Sequence, residues 1–310
     1  MRHRIALFAL LLPAIGVGTA FAGFDEGRTA LEKGDYASAL SELRPLADQG
    51  LPDAQVLLGE MYLTGRGIFQ SDAQAVEWFR KAAAQGNANA QNNLGNMYST
   101  GRGVPLDDTA AVEWYRKAAI QGYAAAQDNL GLKYLRGGGV AQDDLQAVTW
   151  FSKAADKGDA DAQNNLGYMY ANGLGLAHDD KQAMDWYRKA ALQGYAPAQL
   201  NLGLMYSGRG TAEDDKQATE WYRKAAEQGL ADAQYNLGLM YQLGRGVPQD
   251  DVLAYMLFNL AAASGNKAAA GNRISIVQGL SLKQIDKVNE LTKAWRPGKP
   301  FPTDSELMSK

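Results

Sequence analysis

The sequence predicts an all-α fold, a solenoid of stacked helix pairs, and two regularities carry this prediction. The block Ala-Gln-x-x-Leu-Gly recurs at intervals of 36, 36, 36, 36 and 35 residues, and five of the six tryptophans keep the same spacing. A repeat of this length is typical of solenoids, in which each unit buries its apolar face against its neighbours. The blocks begin at Ala54, Ala90, Ala126, Ala162, Ala198 and Ala233, and the tryptophans are Trp78, Trp114, Trp150, Trp186 and Trp221.

The first 22 residues have the pattern of a secretory signal peptide. Arg2 and Arg4 precede a short apolar run, and small residues end at Ala22. The run is shorter than the roughly 20 apolar residues of a membrane-spanning helix. We therefore expect cleavage before Gly23, a periplasmic or secreted location, and no stable membrane insertion after cleavage. A retained membrane anchor is the alternative.

The composition narrows the classes of function. The formal charge of −3 becomes −5 when Arg2 and Arg4 are removed, and the chain has no basic run. Such an acidic surface does not attract nucleic acid. The chain also has no Cys, which excludes lipid attachment at a cleavage-site cysteine and leaves stability to an extended apolar core.

Each repeat is predicted to contain two helices, helix A and helix B. In the repeat at residues 87–122, Ala90, Leu94 and Met97 share one stripe of helix A, and Gly95 leaves a gap there for a neighbouring helix. Helix A ends at a loop with two glycines and a proline, at residues 101–105.

Helix B is predicted to begin at a pair of polar residues, because their side chains accept hydrogen bonds from the first-turn amides. Its face alternates large aromatics with alanines, which allows helices to interlock and places the repeat tryptophans in the core. The helix-B starts are Ser71-Asp72, Asp107-Asp108, Asp143-Asp144, Asp179-Asp180, Asp214-Asp215 and Asp250-Asp251.

These strings resemble a known family. Ala-Gln-x-Asn-Leu-Gly-x-x-Tyr, a glycine-rich turn and Asp-Asp-x-x-Ala-x-x-Trp-Tyr-Arg-Lys-Ala-Ala are similar to the Sel1-like repeat, a longer relative of the tetratricopeptide repeat. The resemblance implies a right-handed α/α superhelical solenoid that presents a concave surface to proteins, commonly as an adaptor or regulator in bacterial envelopes. An asparagine recurs at one position of this pattern, at Asn93, Asn129, Asn165, Asn201 and Asn236, whereas Leu57 departs from it.

The ends of the chain deviate from the repeat, as expected of capping elements. After the leader, we predict tetratricopeptide-like capping helices at residues 23–50 and the repeat array at residues 51–265. A capping helix follows at residues 266–296, since Ser281 and Gln284 have capping-box spacing. Residues 297–310 are rich in proline and polar side chains, and we expect them to be disordered.

The sequence contains few candidate catalytic residues. After leader removal the only histidine is His178, so a Ser-His-Asp triad has one candidate base and a His/Cys metal site has too few ligands. The paired aspartates recur at helix starts, where capping accounts for them. We therefore predict no catalytic residues, no metal, no cofactor and no enzymatic activity.

Two further positions of helix A suggest a binding surface. The positions two and six residues after each block alanine are polar in the early repeats and apolar in the late ones. We expect the asparagine row to bind the backbone of a partner and the late repeats to hold an apolar anchor. The alternative is that these side chains pack against the next repeat. The predicted apolar residues are Tyr168, Leu200, Leu204, Tyr235 and Leu239.

The sequence therefore predicts a non-catalytic scaffold, adaptor or regulator of the bacterial envelope that binds a protein or peptide on its concave face. A secreted hydrolase is the alternative, because some cysteine-rich relatives are described as binding or cleaving β-lactam compounds. This chain lacks their cysteine pairs. Glycan binding by the aromatic residues is a third possibility.

Overall fold

The computed structural model describes residues 17–303 and 306–307 and contains only helices in that part of the chain. Residues 1–142 and residues 143–310 form two compact units, and consecutive helices pack against each other within each unit. The predicted fold class, an all-α solenoid of helix pairs, is confirmed. The leader prediction falls mostly on residues 1–16, which lie outside the described residues, while residues 17–22 belong to the first helix.

The first unit contains a terminal helix pair, two complete repeats and the helix A of a third. Each helix A ends at a glycine in the left-handed conformation, as at Gly65 and Gly101, where a residue with a Cβ would be strained. Its helices are α1 (Val17–Glu32), α2 (Tyr36–Asp48), α3 (Pro52–Thr64), α4 (Asp72–Ala84), α5 (Ala88–Thr100), α6 (Asp108–Ile120) and α7 (Ala124–Arg136).

The second unit begins with a helix B, continues through three repeats and ends with two further helices. Its last two helices, α15 (Lys267–Ile276) and α16 (Leu282–Ala294), are separated by a 3₁₀ turn at Val277–Gly279. The preceding helices are α8 (Asp144–Ala155), α9 (Ala160–Asn172), α10 (Asp180–Leu192), α11 (Ala196–Ser207), α12 (Ala212–Glu227), α13 (Ala231–Leu243) and α14 (Asp251–Ala263).

A glycine in helix A provides the close approach between the two helices of a repeat. A Cβ at Gly95 would lie 2.5 Å from the ring of Tyr115, and one at Gly203 would lie 2.6 Å from the ring of Tyr222. The predicted gap beside Gly95 is therefore filled by helix B of the same repeat. Since a Cβ cannot occupy this space without displacing the ring, the glycine sets the helix separation.

The ring that enters this gap belongs to the residue directly after the repeat tryptophan in the sequence. This ring forms the centre of the core. Phe79, Phe151 and Tyr222 are almost completely buried. The prediction that the repeat tryptophans lie in the core is confirmed for Trp78 and Trp221, which are buried, whereas Trp114 and Trp186 are only half-buried. The ammonium group of a lysine three residues later lies over the rings of Trp114 and Trp186, 3.9 Å and 3.4 Å from the centroid. These half-buried tryptophans therefore close the edge of the core with a cation–π contact.

A ladder of buried glutamines joins successive repeats. The side-chain amide of Gln91 donates to the Ala83 carbonyl oxygen at 3.3 Å, and its own oxygen accepts a hydrogen bond from Gln121 at 2.8 Å. Gln163 and Gln193 repeat the second contact at 2.8 Å. The glutamine of the Ala-Gln block is therefore a structural residue, because burial requires its amide to be paired.

The fifth repeat differs from the predicted pattern at the start of helix B. Asp214-Asp215 was predicted to begin this helix, but α12 starts at Ala212 and is capped by the hydroxyl group of Thr211, which accepts from the Asp214 amide at 3.1 Å. This repeat has one residue fewer before the loop, and α11 ends at Gly208 without the left-handed turn. The shortened connection lets helix B begin about one turn earlier.

The C-terminal region is more ordered than the sequence suggested. The expected single capping helix is preceded by a second helix, α15. The described part of the tail that was expected to be disordered, residues 297–303 and 306–307, packs on the last repeat. Phe301 is buried and stacks on Trp295 with a centroid distance of 5.3 Å, and Leu307 is also buried. Apolar side chains within the polar tail cover the exposed end of the core and hold it in place.

Among the described residues, no helix has both the length and the apolar character required to cross a bilayer.

Candidate functional site

The asparagine row of the first unit joins neighbouring A helices. The side-chain amide of Asn129 donates to Asn92 at 3.0 Å and to Asn96 at 3.4 Å, so it links α7 to α5. Asn93 donates to Asn89 at 3.3 Å and also hydrogen-bonds Glu60, whose pKa is raised by burial. These amides stabilise the packing of the repeats.

In the second unit, one asparagine of the row also links two A helices. Asn201 donates to Asn164 at 2.9 Å, which links α11 to α9. Asn236 donates to the backbone oxygen of Asp232 at 2.8 Å within its own helix, and Asn165 is half-buried. Asn129 and Asn201 therefore pack against a neighbouring repeat. Partner binding by the asparagine row stays a prediction.

The predicted apolar residues divide into two groups. Leu200, Tyr235 and Leu239 are half-buried and pack against the core of the last repeats, with the rings of Tyr235 and Phe258 5.9 Å apart. Tyr168 and Leu204 occupy the same position of consecutive repeats and are 45% and 47% exposed.

Tyr168 lies beside the core tyrosine of its own repeat. Burial raises the pKa of Tyr187, and the neighbouring hydroxyl group of Tyr168 raises it further. The Tyr187 hydroxyl therefore stays neutral at any physiological pH. An exposed aromatic ring beside a neutral hydroxyl group is suited to contact with an apolar or weakly polar partner side chain.

A contact that the sequence did not predict recurs between repeats, and we call this contact the loop clamp. In the clamp, the second loop glycine and the loop arginine of one repeat contact the first turn of the preceding helix B. A Cβ at Gly246 would lie 2.3 Å from the carbonyl oxygen of Asp215, and Arg245 contacts the Asp215 carboxylate at 2.6 Å and 3.1 Å. These hydrogen bonds raise the pKa of Arg245.

The clamp is also present in the first unit. Arg102 binds the carboxylate of Asp72 at 2.7 Å and 3.1 Å, and a Cβ at Gly103 would lie 2.5 Å from the Asp72 carbonyl oxygen. In the next repeat, Lys133 supplies the cation and contacts Asp108 at 2.5 Å. The recurring pattern of glycine, loop and carboxylate was the sequence signal for this contact.

The fifth repeat lacks the clamp, and an open cleft lies in its place. Nothing lies within 4 Å of the position that a Cβ would take at Gly210, and Arg209 is 3.8 Å from Asp214 of its own repeat. The cleft has a volume of about 660 Å³ and lies between α10 and the end of α11. Its lining residues are Asp180, Lys181, Met184, Asp185, Arg188, Leu204, Met205, Gly208 and Arg209.

His178 lies at the edge of this region, in an exposed loop. Its Nε2 atom is 3.1 Å from the carboxylate of Asp180, and both side chains are largely solvated. Within the described part of the chain, no group of three or more His, Asp or Glu side chains is arranged to hold a metal ion. The geometry around His178 includes no nucleophile oriented by the imidazole.

Comparison with known proteins agrees with the repeat geometry. The family model described as Sel1 repeat matches residues 52–87, 88–123, 124–159, 160–195, 196–230 and 231–266. The chain belongs to the Sel1 repeat family. Sel1 repeat proteins are generally protein-interaction scaffolds and are typically non-catalytic.

Solved structures of Sel1 proteins have the same architecture. The Sel1 repeat protein from Oxalobacter formigenes is 31% identical, with a TM-score of 0.71, over 79% of this chain and 97% of the other. A protective antigen present in uropathogenic Escherichia coli strains, which displays the Sel1-like repeat fold, is 29% identical, with a TM-score of 0.54, over 89% and 76%. No functionally curated protein matches the chain.

Proposed function

We propose that this Sel1 protein is a non-catalytic scaffold of the bacterial envelope that binds a protein or peptide along the A helices of its second unit. The exposure of Tyr168 and Leu204 is the observation that carries this proposal. Large apolar side chains in helix A are buried or half-buried at most positions because they pack between repeats. Two exposed ones at equivalent positions of consecutive repeats form a regularly spaced pair of anchors.

The surrounding residues support a preformed surface. Asn201 and Asn164 are joined by a hydrogen bond of 2.9 Å, and Leu200 and Leu239 pack against the core. The anchors therefore rise from helices that are already held in place, so binding requires little ordering of the scaffold. In this proposal, the asparagine row fixes the spacing of the anchors. The half-buried residues Leu200, Tyr235 and Leu239 have the same role.

The envelope location is supported by the leader pattern at residues 1–22. A fusion of these 22 residues to a reporter enzyme that is active only in the periplasm tests this part. Reporter activity is expected, and a reporter retained inside the cell contradicts the location.

Affinity capture from an envelope extract tests the binding surface. The double variant Tyr168→Glu with Leu204→Glu places charges on both anchors and is expected to lose most of the captured partner. Leu192→Glu is the matched control, because Leu192 is 71% exposed at the end of a helix B, α10, and lies outside the proposed surface.

The double variant is expected to lose the captured partner, whereas Leu192→Glu is expected to retain it. Circular dichroism should show unchanged helix content in both, since the replaced side chains are exposed. If the double variant retains the same partners as the unaltered chain, the two residues are not anchors and the proposed surface is wrong.

A further inference from the structure

The open cleft of the fifth repeat has the features of a second binding site. Elsewhere in the array the corresponding space is filled by the loop of the next repeat, whose second glycine lies against the backbone carbonyl oxygen at the start of helix B. The four glycines are Gly103, Gly139, Gly175 and Gly246, which lie against Asp72, Asp108, Asp144 and Asp215. The filled positions therefore show, within the same chain, what chemistry the first turn of helix B accepts. All four accept a glycine against a backbone carbonyl oxygen. Three of them, at Asp72, Asp108 and Asp215, also accept a cation against the carboxylate.

The first turn of α10 has the same groups as the filled positions. Asp180 corresponds to Asp72 and Asp215, which each receive an arginine. Among the residues that the structure describes, Asp180 has the His178 imidazole at 3.1 Å and no arginine or lysine within salt-bridge distance. Its side chain is 67% exposed, so a cation from outside the chain can reach it.

The shortened loop explains why the chain does not fill the cleft itself. In the sixth repeat, Gln242 and Leu243 stand between the last tyrosine of helix A and the loop glycine, whereas in the fifth repeat Ser207 stands alone there. Because this residue is missing, Arg209 lies beside Asp214 and not beside Asp180. The cleft is therefore a consequence of a defined deletion.

Arg188, one of the other charged residues of the cleft, is already paired within the chain. Arg188 contacts Asp185 at 3.0 Å and donates to the hydroxyl group of Tyr206 at 2.9 Å. Lys181 is exposed beside Asp180. Met184, Leu204 and Met205 add apolar surface. A ligand that brings one cation and a small, tightly turned backbone fits this arrangement, whereas a second acid would lie beside Asp180.

We propose that this cleft binds a glycine-arginine turn of a partner protein, which takes the place of the missing loop clamp. The arginine of the partner pairs with the carboxylate of Asp180, because a planar guanidinium can form two hydrogen bonds with a carboxylate. A partner glycine contacts the carbonyl oxygen at the start of α10, where a larger residue would clash. The site shares Leu204 with the proposed scaffold surface but does not include the other anchor, Tyr168.

A peptide with the sequence of residues 243–248, Leu-Gly-Arg-Gly-Val-Pro, is the direct probe, because this segment forms the clamp in the sixth repeat. Fluorescence anisotropy of the labelled peptide with the purified full chain measures the binding. Replacing the second glycine of the peptide by alanine should abolish binding, and replacing its arginine by glutamine should weaken binding by about tenfold.

Two variants of the protein test whether the peptide occupies the cleft. Asp180→Asn is expected to weaken binding by about tenfold, and Asp156→Asn, which removes an exposed acid at the end of α8, is the control. The second variant restores the loop by inserting Leu after Ser207 together with Thr211→Val and Ala212→Pro. It is expected to close the cleft and remove binding.

Three results would contradict the proposed peptide site. Absence of binding at millimolar peptide, equal binding by the loop-restored variant, or tighter binding of a peptide with glutamate in place of arginine would each overturn it. If the loop-restored variant does not fold, Asp180→Asn still decides the outcome. Tyr168→Ala should leave peptide binding unchanged, so failure here is distinguishable from failure of the proposed scaffold surface.

Discussion

The starts of α12 and α10 are equivalent positions in consecutive repeats, yet one is covered and the other is open. At α12, Gly246 and Arg245 of the next repeat contact Asp215, whose side chain is only 12% exposed. At α10, the corresponding Arg209 faces its own repeat and Asp180 is solvated. One missing residue therefore changes a structural contact into an accessible surface, while the helices on either side stay intact.

The largest effect is expected from the loop glycines. Gly246→Ala combines a left-handed backbone, with φ of 68°, and a Cβ 2.3 Å from the carbonyl oxygen of Asp215. We expect the free energy of unfolding to fall by about 3 kcal/mol. Gly210→Ala has a similar φ of 74° but no neighbour within 4 Å, and should lose about 1 kcal/mol.

Urea denaturation followed by circular dichroism measures both glycine variants. Equal losses in the two proteins would show that backbone strain alone matters and that the contact with α12 contributes nothing.

The loop arginines should show the same contrast with a smaller effect. Arg245→Ala leaves the poorly solvated carboxylate of Asp215 without its partner and is expected to lower the free energy of unfolding by about 2 kcal/mol. Arg209→Ala removes a longer, more solvated contact of 3.8 Å, and should change stability by about 0.5 kcal/mol or less. Thermal denaturation in low and high salt measures the difference, and a larger loss for Arg209→Ala would contradict the assignment of the clamp.

The fourth repeat allows the reverse experiment. Leu174 stands where four of the other five loops have arginine, and the Oδ1 atom of Asp144 is buried without a hydrogen-bond partner. Leu174→Arg should supply that partner and raise the free energy of unfolding by about 1 kcal/mol. Leu174→Gln is the control of similar polarity but without charge. An increase in the urea midpoint for arginine alone supports the clamp, whereas a decrease for both variants means that packing by Leu174 matters more.

The sequence predicted the repeats, their two helices and the glycine gap because these features depend on periodicity and local backbone preferences. It did not predict that Tyr115 and its equivalents, rather than Trp114, fill the gap, since adjacent aromatic residues have similar hydropathy and differ by only 100° around a helix. The buried Gln91 was also missed, although a polar residue that recurs beside core alanines is a usable signal for a hydrogen-bonded ladder.

The site was less predictable than the fold. The sequence placed Tyr168, Leu204 and Leu239 in one row, but their exposure depends on how far the neighbouring side chains reach, and the structure separates Leu239 from the other two. The shift of the α12 start to Ala212 follows from the one-residue deletion in the fifth repeat. Such effects arise from contacts between repeats, which no single repeat encodes.

The folded tail has a consequence for self-association. Trp295 and Phe301 cover the apolar end of the second unit, and the Gly298 amide donates to the Glu227 carbonyl oxygen at 2.7 Å. A repeat surface left bare at one end of such an array can accept the opposite end of another copy, and a head-to-tail contact of this kind propagates into open filaments. A few apolar side chains in an otherwise polar segment thus cover the surface that such a contact would need.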